Sequence, residues 1–284
     1  MPIDPDTHVG PVSLTVRDLD RQQDFYERAV GLRTLEREGS VATLGGEDAR
    51  ELVELVRDPD AAPRPCGTTG LFHLAILVPD RAELARSLGR AIEADGRLVG
   101  ASDHLVSEAL YLEDPEGNGI EVYRDRPREQ WRRDGDELRM ATLPLDLRAL
   151  VDELGSNAAS STVAAGTRMG HVHLNVADLA DAERFYAGLL GFDVTARRYP
   201  GALFLSAGGY HHHIGVNTWI GEEAPPPPAG AAGLRSFVVE LPDSEELGRT
   251  VERLRAGGAD VRLAGNAASV EDPSGNTLLL RAGG

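Results

Sequence analysis

Three residues of this chain, His73, Glu121 and His171, have types and positions that together suit a metal ion. His73 lies in Phe72-His73-Leu74, Glu121 in Gly119-Ile120-Glu121-Val122-Tyr123, and His171 in Gly170-His171-Val172-His173, all in stretches with strand character. Two imidazoles and one carboxylate can occupy one face of a six-coordinate Fe(II), leaving three positions for substrate and O2, and no thiolate is needed. A single strand histidine is more often a hydrogen-bonded structural group, so the argument rests on the combination and on where its members are missing.

The missing members become visible through an internal repeat. Residues 14–32, L-T-V-R-D-L-D-R-Q-Q-D-F-Y-E-R-A-V-G-L, match 174–192, L-N-V-A-D-L-A-D-A-E-R-F-Y-A-G-L-L-G-F. Residues 113–122, E-D-P-E-G-N-G-I-E-V, match 271–280, E-D-P-S-G-N-T-L-L-L. Four modules follow, each a strand, a helix and about three strands: roughly 9–57, 71–123, 169–219 and 234–280. Alternation of Val12, Leu14 and Val16 marks the first strand of module one. Asp18 then caps a helix whose apolar face ends at Gly31. Each even module ends in Asp-Pro-x-Gly-Asn, where Pro presets φ and Gly or Asn tolerates positive φ. At the places of His171, His73 and Glu121, modules one and four carry Pro11, Ser236 and Leu279, none of which supplies a metal-binding side chain. The site is therefore expected from modules two and three together.

Length and composition bound the rest. The 284 residues suggest about two domains. The expected division is an N-terminal domain over 1–125 (modules one and two), a linker over 126–166 and a C-terminal domain over 167–284 (modules three and four). The linker is charged, then small and polar over 155–166, with one short helix near 146–154. Pro225–Pro228 reads as a stiff connector. A hydrophobic content of 41% is enough for real cores. A net charge of −17 argues against nucleic acid, whose phosphates it would repel. The single cysteine, Cys66, permits no intramolecular disulfide. No secretion signal and no apolar run of about 18 residues is seen, so no membrane partner and a cytoplasmic location are expected.

The four modules resemble the vicinal oxygen chelate superfamily, which includes glyoxalases, bleomycin resistance proteins and extradiol dioxygenases. The stretch F-Y-x-x-x-x-G and the closing D-P-x-G-N-x-I-E are characteristic of it. Within it, nearly the whole chain outside the linker is similar to two-domain extradiol ring-cleavage dioxygenases of the catechol 2,3-dioxygenase type. The resemblance implies an α+β fold of four βαβββ modules paired into two half-barrel sheets. Modules two and three would form the metal cup, and modules one and four its degenerate counterpart. It implies Fe(II), with Mn(II) as the alternative, and O2 as co-substrate. The partner would be a small aromatic diol, cleaved beside the diol to a muconic semialdehyde-type product.

The resemblance also implies roles for further residues. Tyr111 stands ten residues before Glu121, as in the family, and His104 precedes it. Both would hydrogen-bond substrate oxygen. In Tyr210-His211-His212-His213-Ile214-Gly215, His212 matches the family's acid–base histidine. Strand alternation would turn His211 and His213 to the opposite face, so which of the three reaches the site stays open. His173 shares the strand face of His171, and with His211 and His213 is expected to contact the ligands rather than the metal. Phe204 and Trp219 are candidates for the pocket wall. In familiar extradiol enzymes modules three and four share the site, whereas here module two takes the place of module four. Modules two and three must then pair, as must one and four. The alternatives are a glyoxalase-like metal-dependent lyase or isomerase, with four ligands, and a ligand-binding protein without catalysis. Exposed sheet edges and an acidic surface are compatible with a homodimer.

Overall fold

The structure, a computed structural model, describes residues 1–154 and 160–283. Residues 155–159 of the expected linker lie outside the described residues. Every module opens with a strand and turns into a helix at an aspartate. Asp18, Asp80, Asp178 and Asp243 each accept the backbone N–H three residues on, at 3.1, 2.8, 2.7 and 2.8 Å. Each thereby satisfies one of the N–H groups that a helix start leaves unpaired. In modules one and three the helix closes in a wider π-helical turn, Tyr26–Val30 and Arg184–Leu189. Among the described residues no helix is long and apolar enough to cross a membrane.

The Asp-Pro-x-Gly-Asn turns are hydrogen-bonded alike in both copies. Asp114 accepts the N–H groups of Glu116 and Asn118 and the Asn118 amide, at 2.8, 2.9 and 2.8 Å. Asp272 holds Ser274 and Asn276 in the same way, at 2.8, 2.8 and 2.9 Å. Gly117 and Gly275 sit at φ of +86° and +84°, where a side chain would be strained. The turns deliver the last strands of the even modules, Gly119–Asp125 and Thr277–Ala282. Each last strand runs parallel to the first strand of its own module: Gly119–Asp125 beside Gly70–Leu77, and Thr277–Ala282 beside Gly233–Leu241.

The sheets join the modules across the two halves of the chain. An eight-stranded sheet holds modules four and one, joined by Gly233–Leu241 antiparallel to His8–Val16. A nine-stranded sheet holds modules two and three, joined by Gly70–Leu77 antiparallel to Arg168–Asn175. This is the pairing that the loss of ligand-type residues from modules one and four required. One apolar core, with Val12, Leu14, Leu74, Val172, Leu174, Phe237 and Leu278 among its members, connects the two sheets and their helices.

The 126–154 stretch is more than a tether. It forms a small hairpin (Arg133–Asp134 with Glu137–Leu138) and a short strand, Leu143–Pro144, which extends the nine-stranded sheet at its edge. The helix Leu147–Leu154 follows. Met140, Ala141 and Thr142, just before that edge strand, line a cavity.

Because Asp114 and Asp272 each satisfy several buried donors, replacing either by alanine should cost about 1–3 kcal/mol. Urea unfolding of Asp272→Ala and Asp114→Ala would show comparable losses if the two turns are equivalent.

Candidate metal centre and cavity

The strand Gly119–Asp125 alternates Glu121, Tyr123 and Asp125 onto one face. The paired first strands, Gly70–Leu77 and Arg168–Asn175, bring His73 opposite His173 and Ala75 opposite His171, with irregularities in register on either side of this stretch. Within it the pairing is continuous, so His73 and His171 share one face as diagonal cross-strand neighbours and can aim at one point. The Nε2 atoms of His73 and His171 are 3.3 Å apart. Glu121 Oε2 lies 3.0 Å from the first and 3.2 Å from the second. All three residues are buried.

These distances test the fit of a metal. Neutral imidazole nitrogens and a carboxylate are all acceptors, and three acceptors converging away from water are costly without a shared proton or cation. Ligand atoms at right angles, at bond lengths of about 2.1 Å, stand about 3.0 Å apart. The spacing here is close to that, and the donors are those that suit divalent iron or manganese. Among the described residues this is the one cluster of its kind.

Electrostatics follow from burial. For Glu121, burial alone would raise the pKa, but His171 and His73 beside it outweigh that and hold it well below the usual carboxylate range. Burial lowers His171 to about 4, against the opposing pull of Glu121. Burial also lowers His173 and His212 well below the ordinary histidine value, aided by neighbouring histidines, and takes His213 down to about 3.

The cluster opens onto a cavity of about 620 Å³ lined by His73, Glu121, His104, Tyr111, His173 and His212. Its walls include Phe72, Phe204, Tyr199 and Trp219. The 126–154 stretch supplies Met140, Ala141 and Thr142 to the lining. His104 Nδ1 lies 2.8 Å from the Ala141 carbonyl and must donate to it. A neutral His104 then accepts from the Tyr111 hydroxyl through Nε2, at 2.7 Å. Burial, and then the charge of Glu121, raise the Tyr111 pKa well above its ordinary value, so the phenol keeps its proton.

The three consecutive histidines depart from strand alternation. The strand begins only at Ile214, so the 211–213 segment is bent. His212 lines the cavity, its ring 4.0 Å from that of His171 between centroids. His211 is not on the opposite face: its Nδ1 lies 2.7 Å from His212 Nδ1. His213 alone turns away, accepting the Ala207 N–H through Nδ1 at 3.2 Å. His173 makes no hydrogen bond to a member of the cluster. It packs its ring against His73, Phe72 and Trp219, with centroids at 5.0, 5.1 and 5.3 Å.

Sequence reasoning passed over Tyr123, Asp125 and Tyr210. The Tyr123 hydroxyl meets that of Tyr210 at 2.8 Å, and Tyr210 donates to Asp125 at 3.1 Å. Position was the available signal, since Tyr123 and Asp125 stand two and four residues beyond Glu121 on one strand. Gly170 is also required: a Cβ there would sit 1.8 Å from the Tyr123 oxygen.

Paired βαβββ modules, one pair around a buried two-histidine, one-carboxylate cluster that could hold a metal ion and the other without it, define the class of protein. The sequence pattern of the Glyoxalase/Bleomycin resistance protein/Dioxygenase superfamily matches residues 8–122 and 168–280, and the chain belongs to that superfamily. It is 45% identical over 272 residues to the catechol-2,3-dioxygenase of Bacillus subtilis (strain 168), covering 94% of each chain. Among solved structures, a Bacillus subtilis subsp. subtilis str. 168 protein with a provisional dioxygenase name superposes with a TM-score of 0.70 at 12% identity, over 99% of this chain and 86% of that one. Glyoxalase I from Zea mays superposes with a TM-score of 0.60 at 18% identity, over 97% and 92%. The two structural likenesses speak for the fold alone.

The lowered histidines carry a sign. A histidine whose folded pKa lies below its unfolded value of about 6.5 makes the unfolded state bind more protons between the two, so stability rises with pH there. Metal-free protein should therefore lose stability as pH falls from about 6.5 towards 4, the value for His171. Denaturant midpoints over this range would check it, and a flat profile would contradict the burial of these neutral rings.

Proposed function

We propose that the protein is an extradiol ring-cleavage dioxygenase acting on a catechol, with Fe(II) held by His73, Glu121 and His171. The observation that carries this reading is the three-atom cluster at the wall of a cavity that also presents His212, His104 and Tyr111. The 45% identity to a catechol-2,3-dioxygenase over 94% of both chains supports it. His211 and His213 stand outside the cluster, so three protein ligands are offered rather than the four of a glyoxalase-type site. Three ligands leave room for both substrate oxygens and O2.

When bound, the ion supplies a Lewis acid that lowers the pKa of the diol and a common meeting point for diol and O2. The cavity walls, Phe72, Phe204 and Trp219, hold the ring beside it and keep water out. His212 takes the proton of a catechol hydroxyl and returns it later in the reaction. Tyr111, a phenol that keeps its proton, turns that proton from His104 Nε2 to a substrate oxygen as negative charge grows there. Catechol and O2 combine without loss of atoms: both oxygens enter, the ring C–C bond beside the diol breaks, and a hydroxymuconic semialdehyde results. Mn(II) would fit the same donors.

Anaerobic loading with Fe(II), followed by catechol and air, should give O2 uptake and a yellow product. His73→Ala and His171→Ala should abolish both, together with stoichiometric iron. His212→Ala should keep iron and lower kcat by about 10²–10⁴-fold. Full iron occupancy without O2 uptake across a panel of substituted catechols would count against the reading.

A further inference from the structure

His212 is one end of a chain of hydrogen bonds that crosses the join between modules two and three. Its Nδ1 lies 2.7 Å from His211 Nδ1. His211 Nε2 lies 2.9 Å from Asp125 Oδ1. Asp125 Oδ1 also accepts from the Tyr210 hydroxyl at 3.1 Å, and Tyr210 in turn meets Tyr123 at 2.8 Å. The His211 side chain is fully buried, its ring packed on Trp131 and Tyr210 with centroids at 5.4 and 4.0 Å. Its main-chain carbonyl accepts from Thr195 Oγ1 at 2.6 Å. Ring packing and main chain thus both hold His211 in one pose.

Donor and acceptor rules then allow one arrangement of protons for neutral rings. An ionised carboxylate only accepts, so the bond to Asp125 places the His211 proton on Nε2. His211 Nδ1 is left with a lone pair. The contact between the two Nδ1 atoms requires one donor, and that donor must be His212. His212 therefore carries its proton on Nδ1 and a bare lone pair on Nε2. A proton-accepting group for a catechol hydroxyl needs that lone pair, in a ring that lines the cavity.

We propose that Asp125 and His211 are positioning residues that lock His212 in the tautomer with a free Nε2. The inference rests on the acid–base reading of His212 given above. The chain of bonds fixes a choice that the isolated ring leaves open, as the buried partner of a catalytic histidine does in hydrolytic triads. Glu121 and Asp125 lie on one strand face, so the strand that offers the carboxylate of the cluster also orients the base.

The test compares His211→Phe with His211→Gln. Phenylalanine keeps the ring packing and removes both hydrogen bonds. Glutamine offers one acceptor towards His212 and one donor towards Asp125, as the histidine does. His211→Phe should lower kcat by about ten- to hundredfold, with KM and bound iron close to wild type, and His211→Gln should restore most of it. Asp125→Ala should fall between the two. Independently of activity, nitrogen NMR of ¹⁵N-histidine protein loaded with diamagnetic Zn(II) should show the His212 proton on Nδ1 in the wild type and a shift towards Nε2 in His211→Phe. A wild-type His212 protonated on Nε2, or a His211→Phe enzyme as fast as His211→Gln, would overturn the proposal, and the wild-type spectrum decides even if His211→Phe fails to fold. Unchanged turnover in His212→Ala would instead remove the acid–base reading on which it rests.

Discussion

The antiparallel pairing of Gly70–Leu77 with Arg168–Asn175 is the contact on which the rest of the site depends. His73 and His171 are 98 residues apart in sequence, and this ladder alone puts their Nε2 atoms 3.3 Å apart. Across this ladder His73 lies opposite His173, so alternation puts His73 and His171 on one face as diagonal neighbours, and both rings aim inward. Glu121 then reaches the same point because its strand runs parallel to Gly70–Leu77 on the other side. A chain that paired module one with two and three with four would have the same residues and no cluster.

The two sheets repeat one architecture with opposite outcomes. The eight-stranded sheet keeps the aspartate-anchored turn at Asp272 and the strand it aims, but Leu279 stands where Glu121 stands, and Ser236 and Pro11 replace the histidines. Fold and site are therefore separable: capped helices and turns hold the scaffold in both sheets, and a few side chains decide which sheet can hold a metal. The degenerate sheet still matters, because the core that supports the cluster strands from behind is shared with it. The apolar residues Leu74 and Val172 belong to that core while their neighbours His73 and His171 meet in the cluster.

The surroundings of the cluster are set by burial more than by charge. The protein carries a net charge of −17, yet the cavity lining includes the aromatic rings Phe72, Tyr199, Phe204 and Trp219 and the buried histidines His173 and His212. Burial keeps His171, His173 and His212 unprotonated and Tyr111 protonated, so lone pairs and a hydroxyl donor are both present near neutral pH. That division of roles comes from the shape of the cup, since the same side chains on a surface strand would titrate near their ordinary values.

Much of this was legible in the sequence, for local reasons. The repeat, the aspartate caps, the Asp-Pro-x-Gly-Asn turns and the alternating strands depend on neighbours a few residues away, and a linear pattern records them. The uneven loss of ligand-type residues pointed further, to a shared site in modules two and three and hence to their pairing. What stayed hidden is long-range geometry. Alternation suggested that His211 and His212 face opposite ways, but the bend before Ile214 lets their rings meet. The 126–154 stretch read as a connector, yet it folds over the cavity and bonds His104 through Ala141. Asp125 was passed over in the sequence, and its partners Tyr210 and His211 come from a segment about 85 residues away. The sequence by itself determined the modules and the side chains available to each. Only the tertiary structure decided which atoms meet, because hydrogen bonds and metal ligands act over about 2–3 Å, a distance that no spacing along the chain specifies.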